Sequence, residues 1–169
     1  LPAEYVWSKE TYSGTETRYF RKTFFIDNQV AEAKLQAMVG SHGEIYVNGH
    51  LVGEVLSRWS QSILVLKNDI KVFDVAPYLV KGKNTIGVEA RNHLGSLGFV
   101  NIYLQYRTRY ESNRLAVTEV YSDKTWVFRK APDSRTILFS DLAWTIPDFD
   151  DAEWNKVRVF GTPPEINYD

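Results

Sequence analysis

Ile45-Tyr46-Val47-Asn48-Gly49-His50-Leu51-Val52 is a β-hairpin spelled out locally. Asn-Gly between apolar pairs suits a two-residue type I′ turn. Both central positions of that turn need φ > 0, which Asn tolerates and Gly takes freely. Strand signals continue outward from it. Upstream, Leu35, Ala37 and Val39 alternate with Lys34, Gln36 and Met38, the mark of a half-buried strand. Earlier still, Phe20, Phe24 and Ile26 share one face, interrupted by Lys22. Downstream, Ile86, Val88 and Ala90 alternate with Gly87, Glu89 and Arg91. Val100, Ile102, Leu104 and Tyr106 make the longest clean alternation. Residues 63–73 favour strand through Ile63, Val65, Ile70, Val72 and Phe73. Leu115 to Tyr121, Trp126 to Phe128 and Val157 to Phe160 complete the strand set. Asp74 to Gly82 reads as one helical turn or loop, with Asp74 as its cap and Gly82 at its end. Asp150-Asp151-Ala152-Glu153-Trp154 reads as a second short turn, capped by Asp150 or Asp151, with Trp154 buried. No helical period runs beyond about two turns, so the chain is all-β, a sandwich or barrel.

Composition agrees and narrows function. The 169 residues include 5 Trp, 10 Tyr and 9 Phe, an aromatic content that favours β structure. That length buries a full core without staples. With 20 basic and 21 acidic residues the net charge is -1, which excludes a nucleic-acid binder working by bulk charge. No apolar run is long enough for a membrane-spanning helix. Cysteine is absent, which removes thiol nucleophiles, Cys-based zinc sites and disulfides. It leaves the compartment open. Residues 1–17 read as a polar lead-in, 18–160 as the β domain and 161–169 as a tail or linker. The opening Leu1-Pro2-Ala3 carries neither Met nor an apolar signal segment, and is read as part of a longer protein or a mature product.

Catalytic constellations do not assemble. His42, His50 and His93 lack the spacing of a local metal motif. Gly-x-Ser-x-Gly is absent. Asp148, Asp150, Asp151 and Glu153 are sequence neighbours, whereas glycoside hydrolysis needs two carboxylates flanking a bond. Helix capping explains them better, and a structural calcium built from their oxygens would lack a spaced ligand loop. No catalytic residue, metal site or cofactor is therefore assigned. The carbohydrate-binding candidates are aromatic and loop residues. Trp59, next to Arg58 and flanked by polar residues, is placed as an exposed ring on which a sugar could stack. Asn92 and His93, in the loop to Gly98, and Trp144, in Leu142-Ala143-Trp144-Thr145, complete the set. Trp126 and Trp154 are assigned to the core.

Five stretches in order carry a family resemblance: Tyr19 to Phe24, Ile45 to Gly53, Phe73 to Leu79 with Lys81 to Val88, Ser122 to Trp126, and Phe149 to Trp154. Together they resemble the galactose-binding-like jelly-roll domain of large glycoside hydrolases, above all the N-terminal accessory domains of bacterial alpha-L-rhamnosidases. The sugar-binding domains of beta-galactosidase and beta-glucuronidase relatives are similar. The resemblance implies a jelly roll with one or two short helical turns. It implies a non-catalytic module whose partners are carbohydrate and a catalytic domain of the same polypeptide. The alternative is a purely structural interdomain module with no ligand of its own. It also implies a secreted or periplasmic setting. The motifs are turn and core motifs, so they transfer architecture and not a binding site.

Overall fold

The computed structural model describes residues 2–8, 17–59, 66–68, 70–92, 98–109, 115–132 and 141–162. Among the described residues, thirteen strands and two 3-10 turns follow one another. The strands are β1 (Val6–Trp7), β2 (Thr17–Ile26), β3 (Val30–Val39), β4 (His42–Val47), β5 (His50–Trp59), β6 (Leu66–Asn68), β7 (Lys71–Asp74), β8 (Gly82–Arg91), β9 (Val100–Arg109), β10 (Leu115–Tyr121), β11 (Val127–Lys130), β12 (Asn155–Lys156) and β13 (Arg158–Val159). They form two antiparallel sheets. The first runs β13-β1-β9-β3-β7, with β10 along the rest of the β9 edge that β1 leaves unpaired. The second runs β12-β11-β2-β8-β4-β5-β6. The chain is an all-β sandwich, and sequence-distant strands such as β2 and β8 lie side by side as a jelly roll requires.

The alternation seen in the sequence fills the space between the sheets. Phe20, Ile45, Val47, Ile86 and Val88 face Leu35, Ala37, Val39, Val100, Ile102 and Leu104, and all are fully buried. Trp126 closes the cluster, its Nε1 donating to the Tyr121 carbonyl at 3.0 Å. Asn48 and Gly49 take positive φ, 48° and 84°, as the hairpin turn requires, and Val47 pairs with His50 across it.

The family stretches are joined to one another by polar contacts. Asn48 donates to the Tyr78 carbonyl at 2.8 Å and to Asn84 Oδ1 at 2.7 Å. Its own Oδ1 accepts from the Thr85 amide at 2.8 Å. Asn84, fully buried, donates to the carbonyls of Val80 and Gly82. Ser122 accepts from the Ile102 amide and donates to the Glu4 carbonyl. Arg21, 1% exposed, reaches from β2 into the 141–154 segment, pairs with Asp151 and donates to the Trp144 carbonyl at 2.8 Å and the Ile146 carbonyl at 2.6 Å.

Several expectations change. The lead-in contains β1, and Ala3, Val6 and Trp7 are core residues; two residues are too few to show alternation. Gly82 does not end the helical turn. It opens β8 at φ 107°, separated by Val80 and Lys81 from Leu79, the boundary of the Ala76–Tyr78 turn. Val157–Phe160 is not one strand. Val157 is the buried crossing between β12 in one sheet and β13 in the other. The second 3-10 turn lies at Ala143–Thr145, while Asp150–Trp154 is an open turn in which Asp150 Oδ1 accepts the Ala152 amide. Trp154 is partly buried, packed at the margin of a second small cluster around Trp144 and not in the core between the sheets.

Candidate functional site

Residues directly opposite on paired strands share a face. Register therefore arranges the outer face of the seven-stranded sheet in rows. Glu54, Glu44, Glu89, Tyr19 and Arg129 form one row across β5, β4, β8, β2 and β11. Leu56, His42, Arg91 and Thr17 form the next, nearer the end of the sandwich where β4 begins and β5 and β8 finish. This charged end is the candidate site. Arg91 donates to Glu89 Oε1 at 2.7 Å, and that hydrogen bond holds the guanidinium above its ordinary value. The Tyr46 hydroxyl donates to Glu44 Oε2 at 2.8 Å; burial first, then this bond, push the phenol well above the usual tyrosine range. His42 Nε2 lies 4.0 Å from Glu54 Oε2. One donor atom each from His42, Glu44 and Glu54 lies within 4.8 Å of the others, making these three the residues suited to a metal ion among the described residues. Such a rim of carboxylates, imidazole and guanidinium also matches the hydroxyls of a sugar.

Three predicted site residues, Arg58, Trp59 and Asn92, have their backbones at this end. Arg58 and Trp59 end β5, where their backbones pair with Lys67 and Leu66 of β6. Asn92 follows Arg91 at the end of β8. His93 and the rest of the predicted loop to Leu97 lie outside the described residues. Asn92 is 4% exposed, so its amide is part of the interior and not an open rim. Trp144 does not join the group and does not present an open ring. It is 1% exposed, lies against Gly87 in the middle of β8, stacks on Tyr19 at 4.3 Å and meets Tyr46 edge-on. Its loop folds back over the sheet, so what reads as a loop tryptophan is the centre of a second small core with Tyr19, Tyr46, Phe149 and Trp154. The acidic stretch is likewise engaged: Asp150 in its turn, and Asp151 on Arg21.

The sequence reading missed His42, Glu44 and Glu54 as a group. Half of the signal was present: His42-x-Glu44 places both side chains on one strand face, but counting across the Asn48-Gly49 hairpin puts Glu54 opposite Gly43, and only a bulge at Val52 shifts it opposite Glu44.

No family model matches the chain. A curated alpha-L-rhamnosidase of Formosa agariphila is 28% identical over 85% of this chain. The chain is homologous to one segment of the alpha-L-rhamnosidases. It spans less than a fifth of that relative, 18% of its length. Among solved structures, the GH78 family rhamnosidase of Bacillus sp. GL1 superposes with a TM-score of 0.74 and 20% identity, covering 99% of this chain and 19% of the enzyme. The apo Pleurotus ostreatus lectin shares the fold at a TM-score of 0.66 and 18% identity, over 94% of this chain and 41% of the lectin. The rhamnosidase-like segment thus has the architecture its motifs implied, as a small portion of much longer chains.

Proposed function

We propose that the chain is a non-catalytic carbohydrate-binding module of a larger, rhamnosidase-like glycoside hydrolase. One observation carries the reading: nearly all of this chain corresponds to a small, discrete part of rhamnosidases many times its weight in sequence, 14% to 21% of them by structure. The lectin likeness supports carbohydrate as the ligand class, since one lectin of the same fold was solved with GalNAc. The binding residues in this reading are Trp59 as stacking platform and Arg58, Arg91 and His93 as polar contacts to the sugar hydroxyls. Asn92 supports that rim from within. The test is a glycan array and calorimetry on the 169-residue chain, together with an aryl-glycoside panel. Saturable binding of an oligosaccharide without hydrolysis is expected. Hydrolysis by the chain alone, or an array with no bound glycan, overturns the reading.

A second reading, a purely structural interdomain module, is favoured by a separate observation. At the opposite end of the sandwich Phe25, Leu51, Val80 and Ile146 are 70%, 53%, 52% and 43% exposed. Apolar side chains gathered towards one end suit contact with a further domain. Co-purification of this chain with the remainder of the parent polypeptide, lost in a Phe25→Ser, Ile146→Ser double variant, tests it.

A further inference from the structure

We propose that His42, Glu44 and Glu54 bind a divalent transition-metal ion of the zinc type. The three donors come from two strands joined by the tight Asn48-Gly49 hairpin, so their backbone positions are set by the sheet. Their donor atoms already lie within 4.8 Å of one another. A tetrahedral zinc site with bonds of about 2.0–2.2 Å separates its ligands by about 3.3–3.5 Å, so a closure of at most about 1.5 Å completes the set. Glu54 supplies that movement, because it is 56% exposed while His42 is 19% exposed.

Charge points the same way. Glu44 stands directly between Glu54 and Glu89, an arrangement of like charges that destabilises a sheet unless it is neutralised. Arg91 answers Glu89. Glu44 feels Arg91 only through space, and with Glu54 it offers two carboxylates to one divalent cation. The imidazole separates this group from an ordinary acidic surface patch. A mixed nitrogen and oxygen donor set selects zinc, nickel or copper over magnesium and calcium. The Tyr46 hydroxyl supplies the outer-sphere hydrogen bond that orients a ligating carboxylate. Three protein ligands leave the fourth position open on the solvent side.

Calorimetric titration of the chelator-treated 169-residue chain with zinc chloride tests the site. One ion per chain at micromolar affinity is expected, undisturbed by excess magnesium. His42→Ala and Glu54→Gln should each weaken binding by about tenfold or more, while the metal-free melting midpoints stay at the wild-type value. Glu54→Gln decides the matter alone if His42→Ala folds poorly, because its side chain is largely solvent-exposed. Zinc affinity unchanged in Glu54→Gln, competition by magnesium, or the absence of a saturable single site overturns the proposal.

Discussion

Asn84 shows how one polar side chain can hold three segments together. Its amide nitrogen serves the Val80 and Gly82 carbonyls, and its oxygen accepts from the Val80 amide and from Asn48. Truncation leaves several buried groups without partners, each costing about 1–3 kcal/mol. Asn84→Ala should therefore lose about 2–3 kcal/mol in urea denaturation with an unchanged slope. On the first sheet, the Tyr103 hydroxyl donates to Glu119 at 2.6 Å. That bond, then burial, raises the phenol from 10.0 to about 12. The neutral phenol is the form the fold favours. Its stabilising contribution is complete below pH 10 and fades as pH rises through about 12. Ultraviolet titration should show this late-ionising tyrosine, and Glu119→Gln should return it towards 10.

At the scale of elements, the 141–154 segment is the part the sequence describes least well. It packs on the outer face of the second sheet because Arg21 is buried there and needs acceptors, which Asp151 and the Trp144 and Ile146 carbonyls provide. Asp151→Ala strips the carboxylate from a buried guanidinium. Since Asp151 is 33% exposed, the loss should fall below the fully buried range, at about 2–3 kcal/mol. Fluorescence of Trp144 and Trp154 should report it at lower urea. Gly87→Ala should disturb the same element, because the new Cβ would stand 2.7 Å from the Trp144 ring. The contrast with the hairpin is instructive. Val47 to His50 could be read from neighbours in the chain, since turn chemistry is local. Trp144 could not, because the tyrosines that bury it are about a hundred residues upstream. β1 was illegible for its length, and Asn92 for its position at a strand end that looks like open loop. The His42, Glu44 and Glu54 group needed register and not motif spacing.

For the whole molecule, the two ends of the sandwich differ in chemistry. One gathers exposed apolar side chains, the other His42, Glu44, Glu54, Glu89 and Arg91 beside the end of β5. If the charged end receives sugar, Trp59 at the end of β5 is the tryptophan proposed to stack on it, because Trp144 and Trp126 are buried and Trp154 is tied to Phe149 and Arg129. A single stacking platform with a polar rim gives weak binding, on the order of 0.1–1 mM. An oligosaccharide should then shift tryptophan emission over that concentration range, and Trp59→Ala should abolish the shift while leaving the urea midpoint in place. Phe25→Ser, at the apolar end, should leave the shift intact. Should Phe25→Ser and Trp59→Ala behave alike towards sugar, the assignment of ligand to one end and domain contact to the other would fall. A lowered urea midpoint in Trp59→Ala would make that indole a packing residue, and ligand contact would have to come from the 92–98 stretch instead.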